Sequence, residues 1–83
     1  MPMSDNDATH DVARQHVREW QRQDRKILGI ERLLVDEEGH VTPDLDGIAD
    51  FSDASREQSH VAARRFLKMY GSDPHERFDF VAE

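Results

Sequence analysis

The sequence predicts a small α+β domain with the order helix, hairpin, helix and strand. Two segments, near residues 11–28 and after Ser55, space their apolar residues three or four apart, as one face of an amphipathic helix does. Between them, apolar residues flank an acidic turn that contains Gly39, which is typical of a β-hairpin. A short alternation over residues 78–80 indicates a further strand or an extended arm.

The first helix is expected to run from Asp11 to about Leu28. Its apolar residues fall on one stripe, which Asp24 interrupts. Gly29 follows the stripe, and glycine is favoured just past a helix end because it adopts a left-handed backbone without strain. We therefore expect the helix to end at Gly29.

Two short strands, roughly over residues 31–36 and 40–43, are expected to form the hairpin. Pro43 has no N–H to donate to a sheet, so its strand ends there or lies at an edge. An alternative interpretation continues the first helix to about Glu38, with Gly39 as its end, and predicts an all-α bundle of three helices. The hairpin is the preferred interpretation.

The second helix is expected to begin at Ser52 or Ser55, and a capping box supports Ser55. The Ser55 hydroxyl can accept from the backbone of Gln58, whose side chain reaches back. Gly71 is expected to end this helix, and Pro74 prevents its continuation. The apolar residues make a thin core, which favours dimerisation or docking onto a partner. We expect these residues to be mostly buried: Val17, Trp20, Ile27, Leu28, Leu33, Leu34, Val41, Ile48, Phe51, Ala62, Phe66 and Tyr70.

The length of 83 residues fits one small domain, placed at residues 9–83. Residues 1–8 are polar and acidic and are expected to be a disordered tail. The chain has no cysteine, so disulfides, thiolate catalysis and cysteine metal sites are excluded. It has no basic, apolar secretory leader and no run of the roughly 18 apolar residues that span a bilayer. We expect a cytoplasmic protein that does not enter a membrane.

The sequence lacks the patterns that are typical of an enzyme. It has no glycine-rich phosphate loop, no nucleophile elbow and no histidine pair at the spacing of a zinc helix. Its serines stand where helix caps and turns need them. We therefore expect neither catalytic activity nor a cofactor.

Charge is laid out in blocks, and the formal net charge is −7. Residues 12–32 carry six basic and three acidic side chains, a balance of +3, and residues 54–70 carry four and one, also +3. Residues 33–53 between them carry seven acidic side chains and no basic one. Neighbouring blocks commonly neutralise one another. The negative net charge makes general binding of nucleic acid unlikely to be the main function.

Arginine accounts for nine of the eleven basic residues. It binds carboxylates and phosphates through two parallel hydrogen bonds and is enriched at interfaces. On the second helix, Arg64, Arg65 and Lys68 are closely spaced. On the first helix, spacings of four, four and three make a ridge of Arg14, Arg18, Arg22 and Arg25. The ridge indicates binding of an acidic protein surface or, as an alternative, binding of nucleic acid by both basic helices.

We expect a non-enzymatic protein-binding module, such as an adaptor, an inhibitor or an antitoxin-like regulator, that docks onto a larger protein. The acidic segment, residues 36–53, can occupy a basic groove of that partner. Aromatic side chains are frequent hot spots of protein interfaces. A homodimer is a further expectation. The expected partner-binding residues are Arg14, Arg18, Trp20, Arg22, Arg25, Asp36, Glu37, Glu38, Phe78 and Phe80.

The stretch DLDGIADFSD, residues 44–53, contains four aspartates and one glycine. If Thr42 is position 1 of a 12-residue loop, the aspartates fall at positions 3, 5, 9 and 12 and the glycine at position 6. This run resembles the aspartate-rich calcium repeats of thrombospondin type 3 modules, although those begin with an aspartate. The preferred interpretation is an acidic turn without metal. The resemblance implies, as an alternative, a calcium-dependent interaction module with the ligands Asp44, Asp46, Asp50 and Asp53.

Overall fold

Four strands and two helices alternate along the chain. The computed structural model describes residues 3–71 and 73–83, with side chains from Ala8 onward. The elements are β1 (Met3–Ala8), α1 (His10–Arg22), β2 (Ile27–Val35), β3 (Val41–Asp50), α2 (Arg56–Lys68) and β4 (Glu76–Ala82). The predicted α+β class is confirmed, and the all-α alternative is wrong.

The strands form one sheet in the spatial order β1-β4-β2-β3, and each neighbouring pair is antiparallel. β4 therefore lies between β1 and β2, which run parallel to each other and are connected by α1. In the same way, β2 lies between β3 and β4, which α2 connects. Two split β-α-β units are thus interleaved, and β1 and β3 are the two edges of the sheet.

The N-terminal stretch differs from the expected disordered tail. Met3–Ala8 forms β1 and pairs with residues 78–82 of β4. Its polar composition is a poor guide because the backbone bonds to β4 do not require apolar side chains. Met1 and Pro2 lie outside the described residues.

α1 ends at Arg22, well before Leu28. Asp24 follows with a left-handed backbone, φ 56°. The residue that interrupts the apolar stripe is therefore the one that ends the helical segment, and the prediction that Gly29 does so is wrong. Gly29 lies inside β2, because the apolar residues before it belong to the strand and not to the helix.

The hairpin is confirmed, with strands longer than predicted. β2 begins at Ile27, and β3 continues past Pro43 to Asp50 as an edge strand. α2 begins with the predicted capping box. Ser55 Oγ accepts a hydrogen bond from the Gln58 N–H, and Gln58 Oε1 accepts one from the Ser55 N–H, both at 3.1 Å. These two bonds fix the start of α2.

One core lies between both helices and one face of the sheet. β4 crosses it and buries every second side chain. Apolar residues of both helices and the two central strands fill the core: Ala13, Val17, Trp20, Ile27, Ile30, Ala63, Phe66, Leu67, Phe78, Phe80 and Ala82. Because β2 and β4 are central, their inward residues are covered from the helix side.

The predicted core is right in its centre and wrong at its edge. Val41 and Ile48 are exposed, because they lie on the edge strand β3 and face away from the helices. Half-buried positions are Leu28, Leu34, Phe51, Ala62 and Tyr70. Burial is confirmed for Val17, Trp20, Ile27, Leu33 and Phe66.

The DLDG part of DLDGIADFSD is a bulge on β3. The pairing of β2 with β3 shifts so that residues 44–47 lie opposite Arg32 alone. Asp44 Oδ1 accepts a hydrogen bond from the Asp46 N–H at 3.1 Å, which closes the turn. Gly47 is required by a close approach, since a Cβ there would lie 2.7 Å from the Cβ of Arg32.

Arg32 is the centre of a largely buried network. Its Nε donates to Glu76 Oε2 and its Nη1 donates to Asp44 Oδ2, both at 2.9 Å. Its guanidinium lies 4.6 Å from the centroid of the Tyr70 ring. Burial alone would lower the pKa of Arg32, but the hydrogen bonds to the two carboxylates outweigh it and raise the pKa. The Glu76 side chain is 2% exposed, and its Oε1 has no hydrogen-bond partner among the described residues.

Candidate functional site

A groove of about 450 Å³ lies between α1 and α2. Residues three or four apart share a helix face, and one such face of α1 supplies His10, Arg14, Val17, Arg18 and Gln21. The facing flank of α2 supplies Arg64, Leu67 and Lys68, followed by Tyr70 just past the helix end. Cationic side chains from both helices thus face one space.

The groove carries a concentrated positive charge. Its lining contains Arg14, Arg18, Arg64 and Lys68 but no aspartate or glutamate. All four cationic side chains are exposed. Cations gathered along a cleft reinforce one another's potential, and the low-dielectric walls focus it. This geometry is suited to a ligand with several negative charges.

Only part of this charge is used within the chain. Arg14 donates to Asp11 at 2.8 Å in an exposed pair, which contributes little to stability. Arg64 donates to Gln21 across the groove. Arg18 and Lys68 make no hydrogen bond or ion pair with another described side chain. These two cations are therefore available to a ligand.

The rings of His10 and Tyr70, which line the groove, are fixed by contacts with other parts of the fold. His10 Nε2 lies 2.7 Å from the Leu67 carbonyl oxygen and must be the donor, because a carbonyl only accepts. The His10 ring also contacts Phe78 edge-on. Tyr70 is held by the guanidinium of Arg32 on its ring. The groove is therefore anchored to the core and does not depend on mobile side chains alone.

The predicted arginine ridge is divided by the fold. Arg14 and Arg18 line the groove, whereas Arg22 bonds to Glu19 at 2.5 Å and is not part of the lining. Arg25 lies beyond the end of α1 and contacts the Glu83 carbonyl oxygen at 3.5 Å. The hydrogen bonds from Arg22 and Gln23 lower the pKa of Glu19. Half of the ridge therefore belongs to the candidate site.

Three expected hot spots lie in the core instead of on the surface. Trp20 is 4% exposed and packs edge-on against Phe80, with ring centroids 5.3 Å apart. Phe78 and Phe80 are 0% and 1% exposed, because β4 is a central strand and turns both rings toward the helices. The prediction that these three side chains contact a partner is wrong, since the fold already covers them.

The acidic residues of the hairpin turn, Asp36, Glu37 and Glu38, are exposed and lie outside the groove. The Asp36 carboxylate accepts hydrogen bonds from the His40 N–H at 2.8 Å and the Glu38 N–H at 2.9 Å. The bond from the His40 backbone is the main reason that the pKa of Asp36 is lowered. Asp36 thus has a structural use in closing the turn.

The four aspartates of the calcium alternative are spread along β3 and the loop that follows it. Asp44 bonds to Arg32, and Asp50 accepts a hydrogen bond from the Ser52 N–H at 2.9 Å. No group of three or more histidine or acidic side chains that could hold a metal ion occurs in the described part of the chain. DLDGIADFSD is accordingly a bulge and a strand end in this fold.

Arg64, Lys68 and Tyr70 also line the groove but are not among the residues expected to bind a protein partner. The spacing of the basic residues on the second helix is the signal that could have found two of them. The spacing does not show how α1 and α2 pack against each other. Arg64 and Lys68 face α1, whereas the adjacent Arg65 lines a different hollow.

None of the described helices is long and apolar enough to cross a membrane. No protein-family model, no curated protein and no solved structure matches the chain. The basic groove between α1 and α2 is thus the feature that can support a proposal about function.

Proposed function

We propose that this protein is a non-enzymatic binding module of the cytoplasm that holds an acidic segment of a larger protein in the groove between α1 and α2. The observation that carries the proposal is the convergence of four cationic side chains on a groove without any acidic lining residue. The partner is thereby specified by its chemistry, as a segment rich in aspartate and glutamate. An adaptor, an inhibitor or an antitoxin-like regulator would each use such a surface.

The residue types in the groove favour a protein partner. Three of the four cations are arginines, whose planar group binds a carboxylate through two parallel hydrogen bonds. Leu67 and Val17 also line the groove, but each is 2% exposed, so the surface offered to a partner comes mainly from the cationic side chains and Tyr70. Tyr70 supplies a rigid ring and a hydroxyl. A segment rich in acidic residues fits this combination.

Nucleic acid is the second candidate, and one observation favours it. The acidic block that argues against it in the sequence contributes no residue to the groove lining. Against it, Tyr70 and His10 are the only flat rings in the lining, so little surface is available for stacking bases. If four cations contacted phosphates, the logarithm of the affinity would fall with the logarithm of the salt concentration with a slope of about −3 to −4.

The test is capture of partners from a lysate of the source cell on the immobilised full chain, with and without nuclease, read by mass spectrometry. We expect one protein with an acidic segment to be retained after nuclease treatment. The double variant Arg18→Glu/Lys68→Glu should lower the affinity for that protein about tenfold or more. Arg22→Glu/Arg56→Glu is the matched control, since it changes the net charge equally at one exposed arginine of each helix outside the groove.

Two results would contradict the proposal. Retention that nuclease abolishes would move the assignment to nucleic acid. A partner whose affinity falls equally with Arg22→Glu/Arg56→Glu and with Arg18→Glu/Lys68→Glu would show that it recognises net charge and not the groove. Circular dichroism of each variant establishes that the fold is retained.

A further inference from the structure

Exposed apolar residues concentrate along β3 and at the end of α2, away from the basic groove. Leu45 in the β3 bulge is 82% exposed, and Met69 at the end of α2 is 73% exposed. Val41 and Ile48, also on β3, are more than half exposed. Large exposed apolar side chains mark candidate interaction surfaces, and Leu45 and Met69 are the most exposed of those described.

The bulge presents Leu45 as a projecting knob. Residues 44–47 lie opposite Arg32 alone, so the chain loops outward from the sheet at this point. The bulge is fixed by the bond of Asp44 to Arg32 and by the bond of the Asp46 N–H to Asp44. Leu45 is therefore held out in water by a defined backbone, and the Asp46 carboxylate beside it makes no ion pair with another described side chain.

A hollow of about 640 Å³ lies on the outer flank of α2. Phe51, which directly follows β3, lines it together with the apolar residues Val61, Ala62, Phe66 and Met69 of α2 and its end. Arg65 is also part of the lining and makes no ion pair within the described residues. Ser55, Glu57 and Gln58 complete the lining. The hollow is thus mostly apolar, and Arg65 and Glu57 are its two charged residues.

We propose that this edge of the protein is a two-fold interface between two copies of the chain. Leu45 of each copy enters the hollow of the other, and Asp46 of each copy pairs with Arg65 of the other. Knob and hollow both lie on the β3 side of the molecule, since Phe51 connects the strand to the hollow. A two-fold axis therefore lets each copy supply both features at once, which closes the assembly at two.

Charge selects this arrangement over direct pairing of the two β3 strands. β3 carries Asp44, Asp46 and Asp50 and no basic residue, so two β3 edges side by side would bring like charges together. The bulge also interrupts the backbone that such pairing would need. Docking β3 against α2 instead brings Asp46 to Arg65, which lies about 12 Å along α2 from Glu57, the acidic residue of the hollow. This surface is separate from the basic groove, so the dimer and the proposed binding function can be tested independently.

The experiment is sedimentation equilibrium of the full chain from micromolar to millimolar concentration. We expect a concentration-dependent rise from 9.6 kDa toward twice that mass. Leu45→Ser should raise the dissociation constant of the dimer about tenfold or more. It should not lower the thermal stability of the monomer, because Leu45 is already exposed. Val12→Ser, at an exposed valine of α1, is the matched control and should leave the dimer unchanged.

A charge exchange tests the pairing itself. Asp46→Arg and Arg65→Asp should each weaken the dimer, and the double variant Asp46→Arg/Arg65→Asp should restore it. A chain that stays monomeric throughout would overturn the proposal. So would a dimer that Leu45→Ser leaves intact and Val81→Ser dissociates, because Val81 lies on the sheet face opposite the helices.

Discussion

Arg32 and Arg18 are the same amino acid in opposite settings, on the two sides of Tyr70. Arg32 lies behind the Tyr70 ring, 13% exposed, with both of its carboxylate partners at 2.9 Å. Arg18 lies in the groove that Tyr70 helps to line, exposed and without a described partner. The buried Arg32 connects the sheet, the bulge and the Tyr70 ring. The exposed Arg18 is available to a ligand, and it contributes little to the stability of the fold.

The largest effect should follow from removing the buried arginine. Arg32→Ala leaves the carboxylate of Glu76 buried without its cation, and such a loss costs about 3–5 kcal/mol of unfolding free energy. Urea denaturation followed by circular dichroism measures it. Arg32→Met/Glu76→Leu should recover most of that loss, because the fully buried carboxylate is then absent and Asp44, whose side chain is 21% exposed, remains in contact with water. A loss below about 1 kcal/mol for Arg32→Ala would contradict the network.

Gly47→Ala tests the same network through packing. The added Cβ would lie 2.7 Å from the Arg32 Cβ, so either the bulge or the arginine must shift. We expect a loss of about 1–3 kcal/mol, which is typical of overpacking. Gly39→Ala is the control for introducing a methyl group, because nothing lies within 4 Å of a Cβ at residue 39, although its positive φ adds backbone strain. A loss below about 0.5 kcal/mol for Gly47→Ala would show that the bulge is not tightly packed.

Ser55→Ala should have an intermediate effect. It removes the hydroxyl that accepts from the Gln58 N–H, and losing such a helix cap costs about 1 kcal/mol. Thermal unfolding measures it, and Ser55→Asp should retain most of the stability because aspartate also caps a helix. Equal stability of the alanine and aspartate variants would argue against the cap.

Arg18→Ala should have the smallest effect on folding. An exposed side chain without a described partner contributes within about 0.5 kcal/mol to stability. Binding of the acidic partner should nevertheless weaken, which the lysate-derived partner or an aspartate-rich peptide can report by isothermal titration calorimetry. If Arg18→Ala lowered the free energy of unfolding as much as Arg32→Ala does, Arg18 would be needed for folding and the contrast between the two arginines would be wrong.

Local signals in the sequence predicted what depends on local chemistry. The capping box of Ser55 and Gln58 and the turn around Gly39 are contained within a few residues, and both are found. The end of α1 was missed because Ile27 and Leu28 continue the helical spacing by coincidence while they belong to β2. An aspartate, and not a glycine, takes the left-handed position there.

Contacts between helices and strands that are distant in the chain could not be predicted from the spacing of residues in the sequence. Phe78 and Phe80 look like exposed hot spots until β4 is known to be central. Arg18 and Lys68 are fifty positions apart in the chain and share one groove only because α1 and α2 pack side by side. The network around Arg32 likewise joins three strands.

The central place of β4 sets the order in which the protein can assemble. β1 and β2 are both hydrogen-bonded to β4, so the sheet has a gap until residues 76–82 are available. Until that strand is in place, the apolar faces of α1, the hairpin and α2 lack part of their cover. Closure then depends on contacts between distant parts of the chain, which slows folding relative to a meander of neighbouring strands. Nascent chains that stop before Glu76 should therefore be far more sensitive to protease than those that reach Ala82.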